Sequence, residues 1–224
     1  MPSNAWKKFD ENADDIDHLI DLYQTMVSLS EHDGEELSEG FEVLFRSAVV
    51  LMVSHWEAYV EDICGEALDH LVSHVDDPGK LPRELKKQVA KEIKSLQDES
   101  AIWQLANQGW KKYVRDRMAA FKQQRDRSFN TPKAQNTAEF IKQTLGIENI
   151  RDSWNFDGKG STAVAEQLDN LIEIRGEIAH RGRIRQKLDA DFITGQAKFL
   201  RRLVAKTGGR INKHIKQVTG APLF

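Results

Sequence analysis

LFRSAVVLMVSHWEAYVEDI, residues 44–63, decides the fold. Wound at about 3.6 residues per turn, it is apolar on nearly every face. A helix of that kind sits in the middle of a bundle with other helices around it. The pattern predicts a helix from roughly Ser38 to Val75. Two charges interrupt it, Arg46 and Glu57. They stand eleven residues apart, which puts them on nearly the same side and about 16 Å apart along the axis. They cannot pair with each other. Each therefore calls for a partner from another element, since a lone buried charge is costly. Arg175 and His180 are the candidates for Glu57.

Toward the N-terminus, Ile16, Leu19, Ile20, Tyr23, Met26 and Val27 recur at helical spacing. They predict a first helix from after Ser3 to near Ser30, with Asp10, Glu11, Asp14 and Asp15 favourably placed toward its positive end. Residues 31–36, EHDGEE, read as a break. Toward the C-terminus, Pro78-Gly79 marks a turn and Pro82 suits the first position of another helix. Helices are expected at Arg83–Gln97, Ile102–Arg127 and Thr137–Leu145, the last stopped by Gly146, with a short turn at Ile147–Trp154. Trp103 and Trp110 are seven apart, a core spacing. Lys111, Lys112, Arg115 and Arg117 lie between the aromatics, so base stacking was weighed against packing, and packing is favoured.

Ser161 or Thr162 is expected to cap the next helix, whose apolar side is Val164, Leu168, Leu171, Ile174 and Ile178. Gly182 is placed to end it. Asp189 should cap a last long helix, Phe192–Thr207, stopped by Gly208-Gly209, with a basic piece at Arg210–Val218. No period-2 strand and no internal repeat is visible. The expected class is all-α: up-and-down core helices with additional terminal helices. It reads as a single domain over 1–224, with a core of about 38–207 and extensions at 3–30 and 208–224.

Of 224 residues, 40% are apolar and 30% charged, which suits a packed core under a mixed-charge surface. The only cysteine, Cys64, rules out an intrachain disulfide framework and reads as a small buried hydrophobe. No secretory leader is recognisable, and no stretch approaches the roughly 20 uncharged apolar residues of a membrane span. The expectation is a cytoplasmic protein with no membrane partner. Net charge is −3, but residues 1–77 hold nineteen acids and only Lys7, Lys8 and Arg46 as cations. From Arg175 onward there are twelve Lys/Arg against Glu177, Asp189 and Asp191. Such asymmetry suits self-association or an anionic ligand, though a solvated basic helix explains the charge alone.

LIEIRGEIAHRGRIR (Leu171–Arg185) carries Arg175 and His180 in an R-x4-H spacing. Five positions leave the two about 140° apart on an ideal helix. They share a site only if the helix ends near Ala179 or a second chain completes it. A basic helix end favoured by the dipole is the plainer reading of the same residues. Side chains of these two types suit proton transfer beside a phosphate group. An imidazole can serve as base or acid, worth about 10²–10⁴-fold. A guanidinium grips phosphate bidentately and keeps its charge. Glu66, His70 and His74 lie at i, i+4, i+8, and H-x3-H can bind zinc. The motif lacks a strong fourth ligand, and a polar face at the end of the long helix is the favoured reading.

Three segments resemble one known family. FRSAVVLMVSHWEAYVEDICGEAL (Phe45–Leu68) is similar to the second-helix segment of the RiboL-PSP branch of HEPN-domain proteins, with Arg46 and Glu57 at its polar positions. FNTPKAQNTAEFIKQTLGIENIRDSW (Phe129–Trp154) is similar to its Asn-rich link and short helices. LDNLIEIRGEIAHRG (Leu168–Gly182) is similar to its signature helix. The resemblance implies a HEPN-like bundle and a metal-independent endoribonuclease without cofactor, working as a homodimer. It implies catalytic roles for Arg175 and His180, with Glu57 orienting either of them, and RNA-phosphate contacts from Arg46, Arg181, Arg183, Arg185 and Lys187. It also implies a toxin or phage-defence effector with an antitoxin or neighbouring defence protein as partner. The position after the arginine, often Asn, Asp or His in the family, is Gly176 here. That departure supports the alternative of a non-catalytic dimeric HEPN module binding RNA, nucleotide or a protein partner.

Overall fold

The computed structural model describes residues 2–29, 36–96, 98–116, 131–182 and 188–224. Its helices are α1 (Asn4–Leu29), α2 (Glu36–His74), α3 (Arg83–Ser95), α4 (109–116), α5 (Ala134–Leu145), α6 (Ser161–Arg181) and α7 (Ala190–Thr219). Short 3-10 turns occupy Pro78–Lys80, Glu99–Leu105 and Ile150–Ser153. Among the described residues there is no strand, only an isolated bridge between Phe156 and Lys159. The all-α expectation holds.

α2 is the axle. Val49, Val53, Trp56, Val60, Ile63, Ala67, Leu71 and Val72 are buried along its length, and α1, α5, α6 and α7 pack around it. Cys64 is buried within the same run. By length and composition, Phe41–His74 is apolar enough to cross a membrane, contrary to the reading of the sequence. Half of that window is instead covered by the bundle. The polar edges of the core are satisfied. Trp56 Nε1 donates to Pro132 O at 3.2 Å, and Trp154 Nε1 donates to Thr207 Oγ1 at 3.0 Å.

Several local expectations give way to tertiary structure. α1 has no acid in its first turn. Its start is capped from α2 by Glu66, which accepts from Asn4 N and Ala5 N at 3.2 and 3.1 Å. The expected helix from Ile102 does not start there: a 3-10 turn and a bend at 106–108 precede α4. Its remainder, from Arg117, lies outside the described residues. Trp110 is buried, but Trp103 is 77% exposed, so the seven-residue spacing placed only one of them in the core. α6 starts at Ser161 with Gly160 as a cap that makes no side-chain bond. Asp189 does cap α7, accepting from Phe192 N at 2.8 Å.

The larger correction concerns Gly208-Gly209. α7 runs through this pair without a break to Thr219. At Gly208 α7 passes close against a side chain of α2: a Cβ there would lie 2.6 Å from Tyr59 Oη. Tyr59 is buried, donates to Val204 O at 3.1 Å, and is kept protonated by that burial. The glycine serves close approach, not termination.

α7 runs in the same direction as α2. Met52 and His55 line one small cavity with Ala197 and Leu200, while Tyr59 meets Val204 and Gly208. α6 meets α7 through Gln167 Nε2, which donates to Gln196 Oε1 at 3.2 Å. α6 also packs against α2.

Candidate functional site

Val164, Ala165, Leu168, Leu171, Ile172 and Ile174 anchor α6 in the core. Its outer flank is tied to the start of α5. Asp169 Oδ1 accepts from Ala134 N at 2.7 Å, and Glu173 pairs with Lys133 at 2.7 Å. Asp169 thus caps α5, whose own N-cap residue, Lys133, makes no side-chain capping bond. Nothing local in the sequence signals that role, since donor and acceptor are 35 residues apart.

Past Ile174 no residue of α6 is buried. Arg175, Gly176 and Ile178 are half-buried, while Glu177, Ala179, His180 and Arg181 are exposed. The helix continues beyond the core and stops at Gly182, whose φ is 68° and whose N–H donates to Ile178 O at 2.9 Å. Cations in this last turn suit the negative end of the helix dipole.

Arg175 lies seven residues after Leu168, so it emerges on the core-facing side of α6, about 20° from that leucine. Its Nε is buried and, among the described residues, has no hydrogen-bond partner. A buried donor left without an acceptor costs about 1–3 kcal/mol. His180 stands about 7.5 Å farther along the axis and about 140° around it, facing solvent. α6 does not end near Ala179, so that route to convergence within one chain is closed. In a single protomer the two groups point apart.

On α2, Arg46 pairs with Glu42 one turn earlier, at 3.5 Å. This corrects the expectation of a partner from another element: the pair is an i, i+4 contact with a well-exposed glutamate. Glu57 is half-buried and engaged. Arg181 occupies the exposed last turn of α6. Arg183, Arg185 and Lys187 lie outside the described residues.

The zinc reading loses its acid, because Glu66 is spent on the N-terminus of α1. His70 and His74 stack with ring centroids 3.9 Å apart, and His74 Nδ1 meets His70 O at 2.9 Å. Among the described residues no group of three or more His, Cys, Asp or Glu could hold a metal ion.

A family model, RiboL-PSP-HEPN, matches residues 10–213. No curated protein and no solved structure matches the chain.

Proposed function

The chain belongs to the RiboL-PSP-HEPN family, and on that premise we propose that it is a metal-independent endoribonuclease whose site is completed by a second copy of itself. The observation that carries the reading is the end of α6. It holds a guanidinium whose buried Nε lacks an acceptor and an imidazole open to solvent, diverging by about 140°. Each protomer then has half of what the chemistry requires. A two-fold axis beside α6 brings two Arg175 and two His180 into one cleft.

In that cleft one His180 takes the proton of the RNA 2′-OH. The freed oxygen attacks the adjacent phosphorus. The other His180 protonates the departing 5′-oxygen as the P–O bond breaks, leaving a cyclic phosphate and a 5′-OH. Arg175 donates from the outer nitrogens of its guanidinium to the phosphorane oxygens, where charge builds. Glu57 acts as a positioning residue for one of these groups. Arg46, Arg181, Arg183, Arg185 and Lys187 hold flanking phosphates, which makes binding salt-sensitive. A cytoplasmic toxin or phage-defence effector, restrained by an antitoxin or neighbouring defence protein, is the biological setting this chemistry fits.

The test is cleavage of single-stranded RNA and of tRNA by purified protein with EDTA present. Wild type is expected to cut, and His180→Ala to lose at least about 10²-fold. Unchanged cutting by His180→Ala removes that residue from the mechanism. Gly176 favours a second reading. A Cβ there meets nothing within 4 Å, so packing does not demand glycine. In that reading the protein is a non-catalytic dimeric module for RNA, nucleotide or a protein partner. An inactive wild type that still binds RNA would select it.

A further inference from the structure

The outer face of α7 belongs to none of the groups above. α7 carries seven cations and one acid, Asp191. Arg201 turns to α1, where it pairs with Asp17 at 2.7 Å. The other six, Lys198, Arg202, Lys206, Arg210, Lys213 and Lys216, fall within an arc of about 120° at 100° per residue. That arc lies opposite Gln196, Leu200, Leu203, Val204, Thr207 and Ile211, which bury the helix. Five of the six are exposed and Arg210 is half-exposed. The row is about 27 Å long. Among the described residues only Arg202 meets an acid, Asp157, at a loose 3.9 Å. Gly209 sits inside the arc with open space above it, so a ligand backbone can come close at the centre of the row.

A solvated basic helix normally intersperses acids, because like charges at i, i+4 destabilise it. Here Lys198, Arg202, Lys206 and Arg210 follow one another at that spacing, uncompensated along the helix. The geometry points to a second anion-binding surface: the outer face of α7 holds the sugar-phosphate backbone of RNA, independent of sequence and made of residues other than those of the α6 cleft. This rests on the RNA-directed reading of the family site. Commitment to RNA follows from the shape of the row. It is straight, and Phe199, the large apolar residue that falls within its arc, is buried, whereas a membrane-surface helix also needs an apolar face free to insert. The apolar face of α7 is already buried in the core.

Binding of a fluorescein-labelled 20-nucleotide single-stranded RNA is measured by anisotropy in EDTA from 50 to 200 mM salt. The His180→Ala background keeps the probe intact. Lys206→Gln/Lys213→Gln/Lys216→Gln is expected to flatten the slope of log K against log salt by about 2 and to weaken binding about tenfold or more at low salt. Lys87→Gln/Lys91→Gln/Lys94→Gln on α3 is expected to change neither. An unaltered slope in the α7 variant overturns the inference. So does a wild type that ignores RNA yet floats with phosphatidylserine vesicles through the same lysines. Failure of the nuclease reading looks different: wild type binds RNA through α7 with the expected slope but never cuts it.

Discussion

Gly176 stands one residue past Arg175 with room for a side chain. Glycine inside a helix costs roughly 0.5–1 kcal/mol relative to alanine. Gly176→Ala is therefore expected to raise the urea midpoint by that equivalent. Gly176→Asn supplies the polar group common at this position in the family. It is expected to cut RNA at least as fast as wild type, and slower cutting would show that the glycine is itself functional. Three histidines give the fold a pH dependence. His55, His70 and His214 are all held below the usual 6.5, in each case first by burial. His74 adds to the effect at His70, while Asp15 opposes it at His55. The unfolded chain takes up these protons near pH 6.5 and the folded chain only at lower pH. Stability is thus complete above pH 6.5 and falls as pH drops below it. Glu84 and Asp98 shift too, but from 4.5 and 3.8, below this window. His214 Nε2 donates to Leu145 O at 3.0 Å. His214→Gln retains a donor there and should flatten the loss of urea midpoint between pH 7 and 5.5. An unflattened profile would assign the effect to the other two.

At the level of elements, two adjacent glycines should behave oppositely. Gly208→Ala forces a methyl to 2.6 Å from Tyr59 Oη, and overpacking of that kind costs about 1–3 kcal/mol. Gly209→Ala meets open space and should stabilise by about 0.5–1 kcal/mol. Thermal melts of the two variants read both signs. Equal shifts would mean that α7 is not continuous across the pair. This pair also shows what a sequence conceals. Glycine marks a helix end and a close helix approach alike, and only the position of Tyr59, far away in the chain, separates the two. Gly146 and Gly182 were legible because they follow an apolar period that ends with them, and both adopt positive φ. α2 was legible because its apolar density admits no other place for it. Trp103 was not, since spacing says which residues share a face only if the helix is continuous, and the chain bends at 106–108. The cap that Asp169 gives α5 and the one Glu66 gives α1 were hidden for the same reason as Tyr59. Of the site, Arg175 and His180 were readable as a pair of types. Which way each faces depends on where the core ends along α6, and that is set by packing.

For the molecule as a whole, charge is divided by sequence and partly reunited by folding. Acidic α1 and α2 lie against basic α7, with Arg201 on Asp17 where α1 and α7 meet. Among the described residues, Arg181 at the end of α6 and most of the outer row of α7 meet no acid. On the proposed mechanism a single protomer carries only half a site, so specific activity should rise with protein concentration across the dimerisation range. Flat activity down to a demonstrably monomeric concentration would argue for a complete site in one chain. The sharpest test uses a dimer of one wild-type and one His180→Ala chain, isolated through two different affinity tags. A single cleft that draws its base from one chain and its acid from the other should leave this mixed dimer with a few per cent of wild-type cleavage or less. Retention of half the wild-type rate would mean two independent sites, and would contradict the shared cleft.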